Sequence, residues 1–138
     1  MPKMFVHTRQ GTFTPEARAQ VASALTDLGI ACERLPNTAK IRSGVWVFFT
    51  EHAPDATFRA GEIAPDPPPI SLIALSLEGG FDAASKQRMI ADATAILRKH
   101  AGLNGDQAPV YVVIRVAPEE NWGMYGKQVS LAAMRTSG

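Results

Sequence analysis

Proline is the second residue of this 138-residue chain, directly ahead of a run of residues typical of a β-strand. Once Met1 is removed, Pro2 would carry a secondary amine at the end of that strand. Burial disfavours the ammonium form, so a partly desolvated amine there would titrate near neutrality. A neutral amine can act as a general base beside an acidic C–H bond or as a nucleophile toward a carbonyl. Pro2 is therefore a candidate catalytic residue, although a proline at this position, taken alone, is more often only structural, and its role depends on the fold around it.

Arg115 is a second candidate, because it interrupts an otherwise apolar run over residues 110–116. Tyr111 and Val113 precede it at intervals of two, and this spacing places all three on one face of a strand. A charge in a buried-type strand needs a partner or a ligand. Arg115, with Tyr111 alongside, could hold a carboxylate or a developing oxyanion. An ion pair between subunits, or a strand end that reaches solvent, explains it equally well.

The remaining histidines, glycines and the cysteine match no known pattern for a metal, phosphate or dinucleotide site. The three histidines are scattered, and no group of His, Cys, Asp and Glu has metal-ligand spacing, so we expect no metal. Gly79 and Gly80 lack the phosphate-loop and dinucleotide-binding patterns, and we expect no cofactor. Cys32 is the only cysteine, which excludes an intrachain disulfide and favours a reducing, cytoplasmic compartment.

Composition narrows the class of protein further. Hydrophobic residues make up 46% of the chain and charged residues 20%, as in ordinary folded domains. The net charge of +1 favours neither nucleic-acid binding nor attraction to a membrane surface. The apolar runs are too short to cross a bilayer, and the N-terminus lacks the apolar segment of a secretion signal. We expect one domain, with no nucleic-acid or membrane partner.

The elements that would position these residues occur twice along the chain. Thr14 and Asp82 are N-cap candidates ahead of apolar residues at helical spacing, and Gly29 and Gly102 follow those runs. Helices are predicted over residues 15–28 and 83–100. Strands rich in Val, Ile, Leu and Phe are predicted over residues 3–8, 45–49, 70–77 and 110–116. The order is β-α-β followed by β-α-β.

The two halves align with a shift of 68 residues and no gap, for example Gly11 on Gly79. The repeats cover about 2–63 and 70–131, and a stiff proline-rich connector covers 64–69. A β-α-β unit pairs its strands in parallel through a right-handed crossover. Two such units side by side predict an α/β (α+β) fold with a four-stranded sheet and both helices on one face.

The face of this sheet opposite the helices should also carry apolar residues. Its candidates, depending on register, are Phe5, His7, Val45, Val47, Leu72 and Val113. An apolar second face needs to be covered by another subunit. The sequence therefore predicts a homo-oligomer.

With these features the sequence resembles the tautomerase superfamily, which comprises small β-α-β proteins, or fusions of two such units, that act through an N-terminal proline. The resemblance is carried by Pro2 before the first strand, the duplicated unit, and the segments 77–80 and 120–126. Segments 13–18 and 49–51 are similar to the subgroup that contains cis-3-chloroacrylic acid dehalogenase. The resemblance implies a trimer of fused chains with Pro2 as the catalytic group. It also implies a pocket walled by Leu77, Val113 and Trp122.

The chain departs from that subgroup at most of its functional positions. The two carboxylate-binding arginines of the dehalogenases would fall on Leu77 and Gly80, and their histidine on Gly29. Their water-activating glutamate would fall near Met124 and their tyrosine near Val113. Neither Leu77 nor Gly80 can hold a carboxylate through a side-chain hydrogen bond.

Three functions remain open. The first is a cofactor-free tautomerase-like enzyme that uses Pro2 as a general base on a small carbonyl compound or 2-oxo acid. The second is an oligomeric protein that kept the tautomerase fold and lost its activity. The third, which the missing residues disfavour, is a dehalogenase or hydratase of the cis-3-chloroacrylate type.

Overall fold

A computed structural model describes residues 1–104 and 109–136. Its elements, in chain order, are β1 (Lys3–Arg9), α1 (Pro15–Cys32), α2 (Ala39–Arg42), β2 (Trp46–His52), β3 (Phe58–Arg59), β4 (Glu62–Ile63), β5 (Ile70–Leu77), α3 (Ala83–Ala101), β6 (Val110–Ala117), a 3₁₀ turn (Glu119–Asn121), β7 (Gly123–Met124), β8 (Lys127–Gln128) and α4 (Leu131–Thr136). All four predicted strands and both predicted long helices are present. No described helix is long and apolar enough to cross a membrane.

The main sheet has four strands in the order β2-β1-β5-β6. Strands β1 and β2 are parallel, as are β5 and β6, and the two units meet antiparallel between β1 and β5. Helices α1 and α3 pack against each other, and residues of both belong to the core cluster on one side of the sheet. The predicted four-stranded sheet with two helices on one face is confirmed.

Both predicted N-caps are confirmed. The side chain of Thr14 accepts a hydrogen bond from the Ala17 amide at 3.0 Å, and Asp82 accepts one from the Ser85 amide at 2.8 Å. Each bond satisfies an amide that lacks a partner within its own helix. The two long helices therefore begin where the sequence predicts.

The predicted end of the first helix at Gly29 is wrong, because α1 continues to Cys32. Gly29 has another role, which is to let β1 approach the helix closely. A Cβ atom at Gly29 would lie 2.7 Å from Cγ of Pro2 and 3.3 Å from Cε of Met4. The glycine thus marks a close contact between α1 and the start of the chain.

The open face of the sheet, opposite the helices, is apolar as predicted, but some of its members differ. Phe5, His7 and Val113 occupy it, whereas Val45, Val47 and Leu72 pack into the core on the helix side. Because side chains alternate along a strand, a shift of one residue moves each of them to the other face. In β2 the open-face positions are Trp46, Phe48, Thr50 and His52, of which the first two are aromatic and apolar.

Aromatic rings cover one half of this open face. Phe48 stacks on Phe5 with ring centroids 5.4 Å apart, and on Trp46 at 5.9 Å. Trp46 is 54% exposed, Phe48 46% and Tyr111 58%. An exposed apolar sheet face of this kind is typical of an interaction surface rather than of a monomer in water.

Candidate active site around Pro2

A second apolar cluster surrounds the first residues of the chain, at the end of the sheet where β1 begins. Its buried members come from α1 and the loop after it, α2, β5, the turn after β6, and α4: Ile30, Leu35, Ile41, Leu77, Trp122, Leu131 and Met134. Met1 packs against this cluster. Five separate parts of the chain thus enclose the N-terminus.

Pro2 lies at the inner edge of this region and is less than 2% exposed. Its ring rests against Gly29 of α1, on the helix side of the sheet. Lys3, the next residue, has its ammonium bound to the backbone oxygen of Gly44. The position of Pro2 is therefore fixed by packing on one side and by pairing of β1 on the other.

Glu33, at the C-cap of α1, places a carboxylate beside the chain terminus. Its residue is 0% exposed. Oε1 accepts a hydrogen bond from Oγ of Ser76 at 2.7 Å, and Oε2 lies 3.2 Å from the amino nitrogen of Met1. The second contact is an ion pair by distance, and Oε2 has no well-aligned hydrogen-bond donor among the described residues. A buried carboxylate with an incompletely satisfied oxygen thus faces the N-terminal amine.

The environment of this amine favours its neutral form. Burial lowers the pKa of the Met1 ammonium below its ordinary value, and the negative charge of Glu33 opposes that shift. Burial likewise lowers the pKa of Lys3, again against the effect of Glu33. Desolvation is the larger cause in both cases, so the apolar cluster decides the direction.

Arg135 holds the C-terminal helix α4 over the same region. Its guanidinium donates to the backbone oxygens of Glu33, Gly79 and Gly80 at distances of 3.2 to 3.3 Å. Sδ of the preceding residue, Met134, lies 3.5 Å from the Met1 nitrogen. The charge of Arg135 is thus directed to backbone carbonyls rather than into the space beside Met1.

The structure leaves no place for an arginine side chain at Leu77 or Gly80, where the resemblance to the dehalogenases would put the carboxylate-binding arginines. Leu77 is 1% exposed and belongs to the apolar cluster. A Cβ atom at Gly80 would lie 2.6 Å from Oγ of Ser76 and 2.9 Å from the oxygen of Leu77. Any side chain at Gly80 would displace Ser76, which orients Glu33. The hydrogen bond to Glu33 and an arginine at position 80 are therefore mutually exclusive in this arrangement.

A cleft of about 290 Å³ opens beside Met1. Its walls are apolar and include Ile41, Met124, Val129 and Met134. Met1 itself forms part of the wall, so loss of this residue would extend the cleft toward the nitrogen of Pro2.

The predicted site residues divide into two groups in a single chain. Leu77 and Trp122 lie in the cluster that surrounds Met1, next to Pro2. Tyr111, Val113 and Arg115 are exposed on the open face of β6.

The register shows how far Arg115 is from Pro2 within one chain. Arg115 pairs with Leu75, and Leu75 pairs with Lys3, so Arg115 lies two strands, or about 10 Å, from the start of β1. Tyr111 pairs with Ser71 at the other end of β5. One chain therefore does not assemble Arg115 or Tyr111 with Pro2.

A second cleft, of about 280 Å³, occupies the opposite end of the sheet. His7 and His52 line it, with 3.1 Å between Nδ1 of one and Nε2 of the other. Pro69 also lines this cleft, but its nitrogen is an amide within the chain and cannot act as a base. No three His, Cys, Asp or Glu side chains converge on a possible metal position within the described residues.

Sequence reasoning missed Glu33 as a site residue. It follows an amphipathic helix, where a charged side chain is usually solvated, and its counterpart in the second repeat is Ala101. Its partners Met1 and Ser76 are distant in the sequence.

Comparison with known proteins shows relatives of the same fold. A family model described as a tautomerase enzyme matches residues 70–132, which form the second β-α-β unit. The structure of a member of the cis-3-chloroacrylic acid dehalogenase family is 27% identical, with a TM-score of 0.77 over 93% of this chain and 83% of that chain. No curated protein matches the chain.

Two fused 4-OT proteins share the whole fold. One, an asymmetric trimer, is 20% identical with a TM-score of 0.75, over 91% of this chain and 94% of that chain. The other, a symmetric trimer, is 23% identical with a TM-score of 0.75, over 95% and 97% of the two chains. The second half of the chain thus matches the tautomerase family model, and the chain as a whole has the fold of the fused 4-OT structures, with two β-α-β units.

Proposed function

We propose that this protein is a cofactor-free tautomerase in which Pro2, after loss of Met1, acts as a general base on a small carbonyl compound or 2-oxo acid. The observation that supports it is the setting of the N-terminal amine, which lies in an apolar cluster 3.2 Å from the buried carboxylate of Glu33. Removal of one residue would place the amine of Pro2 at the inner end of the same cleft.

The reaction needs only one proton to move. The neutral amine of Pro2 takes a proton from the carbon next to the substrate carbonyl, which leaves an enolate and a protonated proline. The proton then returns to a different atom of the substrate, so the protein is unchanged after each turnover. Glu33 would accept a hydrogen bond from the protonated amine and hold it in place between the two transfers.

A homotrimer would complete the site. The exposed apolar face needs a cover, and the fused 4-OT structures with this fold are trimers. Two or more copies of this chain, packed through that face, would bring Arg115 of one copy toward the cleft of another. There Arg115, with Tyr111 alongside, would stabilise the developing oxyanion.

The alternative is a protein that kept the fold and lost the activity. It is favoured by the absence of arginines at Leu77 and Gly80, and by the fit of an intact Met1 into the apolar cluster. A dehalogenase has less support, because it needs a carboxylate to activate water and the corresponding position is Met124, on the apolar wall of the cleft.

The test is a panel of keto–enol substrates, including 2-oxo acids and neutral ketones, assayed with wild type and Pro2→Ala. We expect activity toward at least one substrate in wild type and its loss in Pro2→Ala. Pro15→Ala is the matched control, because Pro15 is an exposed proline at the start of α1. Equal rates in wild type and Pro2→Ala on every substrate would reject the proposal.

A further inference from the structure

We infer that the site at Pro2 takes an uncharged, largely apolar carbonyl compound in preference to a 2-oxo acid. This inference rests on the proposed function and specifies its substrate class. It follows from the charges that one chain places around the cleft. Arg115 of a neighbouring copy is already assigned to the developing oxyanion, and no buried cation among the described residues is free for a substrate carboxylate.

The charge in contact with the N-terminal amine of the intact chain is negative. Glu33 is fully buried, and its Oε2 is directed at the N-terminal nitrogen without a well-aligned donor among the described residues. A substrate whose α-carbon contacts the amine of Pro2 would have its own carboxylate a few bonds away. Two carboxylates at such a distance repel each other strongly where water is excluded.

The cations near the cleft are already committed to other partners. Arg135 binds three backbone oxygens, and Lys3 binds the backbone oxygen of Gly44. Arg34 donates to the oxygen of Gly79 and pairs with Asp82 at 3.5 Å. Among the described residues that line the cleft, Lys40 has the one cationic side chain, and it is exposed. An exposed lysine binds a carboxylate weakly, because water competes for both charges.

The walls of the cleft suit an apolar group. Ile41, Met124, Val129, Ala133 and Met134 contribute them, and the Met1 side chain itself rests among these residues. Removal of Met1 would therefore leave an apolar space of about the size of that side chain beside the amine. A phenyl or alkyl ketone fills such a space without the desolvation cost that a carboxylate would carry.

The experiment compares phenylpyruvate with its methyl ester, which has the same ring and the same reacting carbon. In wild type we expect kcat/KM for tautomerisation of the ester to exceed that of the acid by at least about tenfold. Glu33→Gln removes the charge and keeps the shape, and it should bring the two values closer together. Glu16→Gln is the control, because Glu16 is an exposed carboxylate at the other end of α1.

Each outcome decides the question. Preference for the acid in wild type would overturn the inference and leave the proposed function standing. Preference for the ester that persists undiminished in Glu33→Gln would overturn the role of Glu33. Turnover of neither compound by a wild type that is active on other substrates of the panel would overturn the inference alone, whereas equal turnover by wild type and Pro2→Ala would reject the proposed function and the inference with it. If Glu33→Gln does not fold, the comparison of ester and acid in wild type still decides the substrate class.

Discussion

Oε2 of Glu33 lies 3.2 Å from the amino nitrogen of Met1, inside an apolar cluster built from five parts of the chain. The ammonium is therefore subject to two opposed influences. Burial favours loss of its proton, and the carboxylate favours retention. An amine poised between such influences is suited to accept and return a proton near neutral pH.

The pH dependence of activity should show both influences on the amine of Pro2. Only the neutral amine is a base, so kcat/KM should rise with pH and then level off. Burial disfavours the charged form, as it does for Met1, so the midpoint should lie below the pKa of a solvated secondary amine. Glu33 opposes this shift, and Glu33→Gln should therefore move the midpoint to lower pH.

The measurement is the pH profile of kcat/KM, because its midpoint reports the pKa of the catalytic group in the free enzyme. Glu16→Gln should leave the midpoint unchanged. An activity that falls with rising pH would contradict the assignment of the base, and an upward shift in Glu33→Gln would contradict the effect of the carboxylate.

Gly29→Ala tests the close contact between α1 and Pro2. In an ordinary helix this change stabilises, because glycine is the poorer helix former by about 1 kcal/mol. Here the new Cβ would lie 2.7 Å from Cγ of Pro2, so the overpacking should instead destabilise the protein by about 1–3 kcal/mol. Urea denaturation measures the change, and increased stability would show that Pro2 does not lie against Gly29.

The open sheet face should hold the oligomer together. Phe48→Lys places a charge in its aromatic stack, and we expect the proposed trimer to dissociate at micromolar concentrations in sedimentation velocity. Ile90→Lys is the matched control, since Ile90 on α3 is also 46% exposed but lies on a helix. A wild type that sediments as a monomer, or a Phe48→Lys variant that remains a trimer, would place the interface elsewhere.

Arg115 should act on the site of a neighbouring copy. Arg115→Ala should lower kcat/KM by roughly tenfold or more, as for loss of a charged hydrogen bond. If the two residues come from different copies, mixed oligomers of Pro2→Ala and Arg115→Ala chains contain some sites with both groups intact. Co-expression should then recover part of the activity that each variant lacks. Full activity of Arg115→Ala alone would exclude Arg115 as the oxyanion partner.

The fold could be predicted from the sequence because its signals are local. The caps at Thr14 and Asp82, the apolar periodicity of two helices and the repeated order of elements each depend on neighbouring residues. The faces of the strands were harder to assign, because the choice between Val47 and Phe48 depends on a register shift of one residue.

The candidate site was harder to predict from the sequence, because it depends on contacts between residues that are far apart in the chain. Pro2 could be recognised from its place in the chain. The role of Glu33 requires knowledge that α1 extends past Gly29 and brings the carboxylate against both Met1 and Ser76. Similarly, only the fold shows that Arg115 faces away from Pro2 in its own chain.

The most direct test of the central claim is the intact mass of the native protein, purified without a tag. We predict a chain that is lighter by one methionine residue, so that Pro2 carries a free secondary amine beside Glu33. A chain that retains Met1 would contradict it, because the nitrogen of Pro2 would then be an amide and could not act as a base.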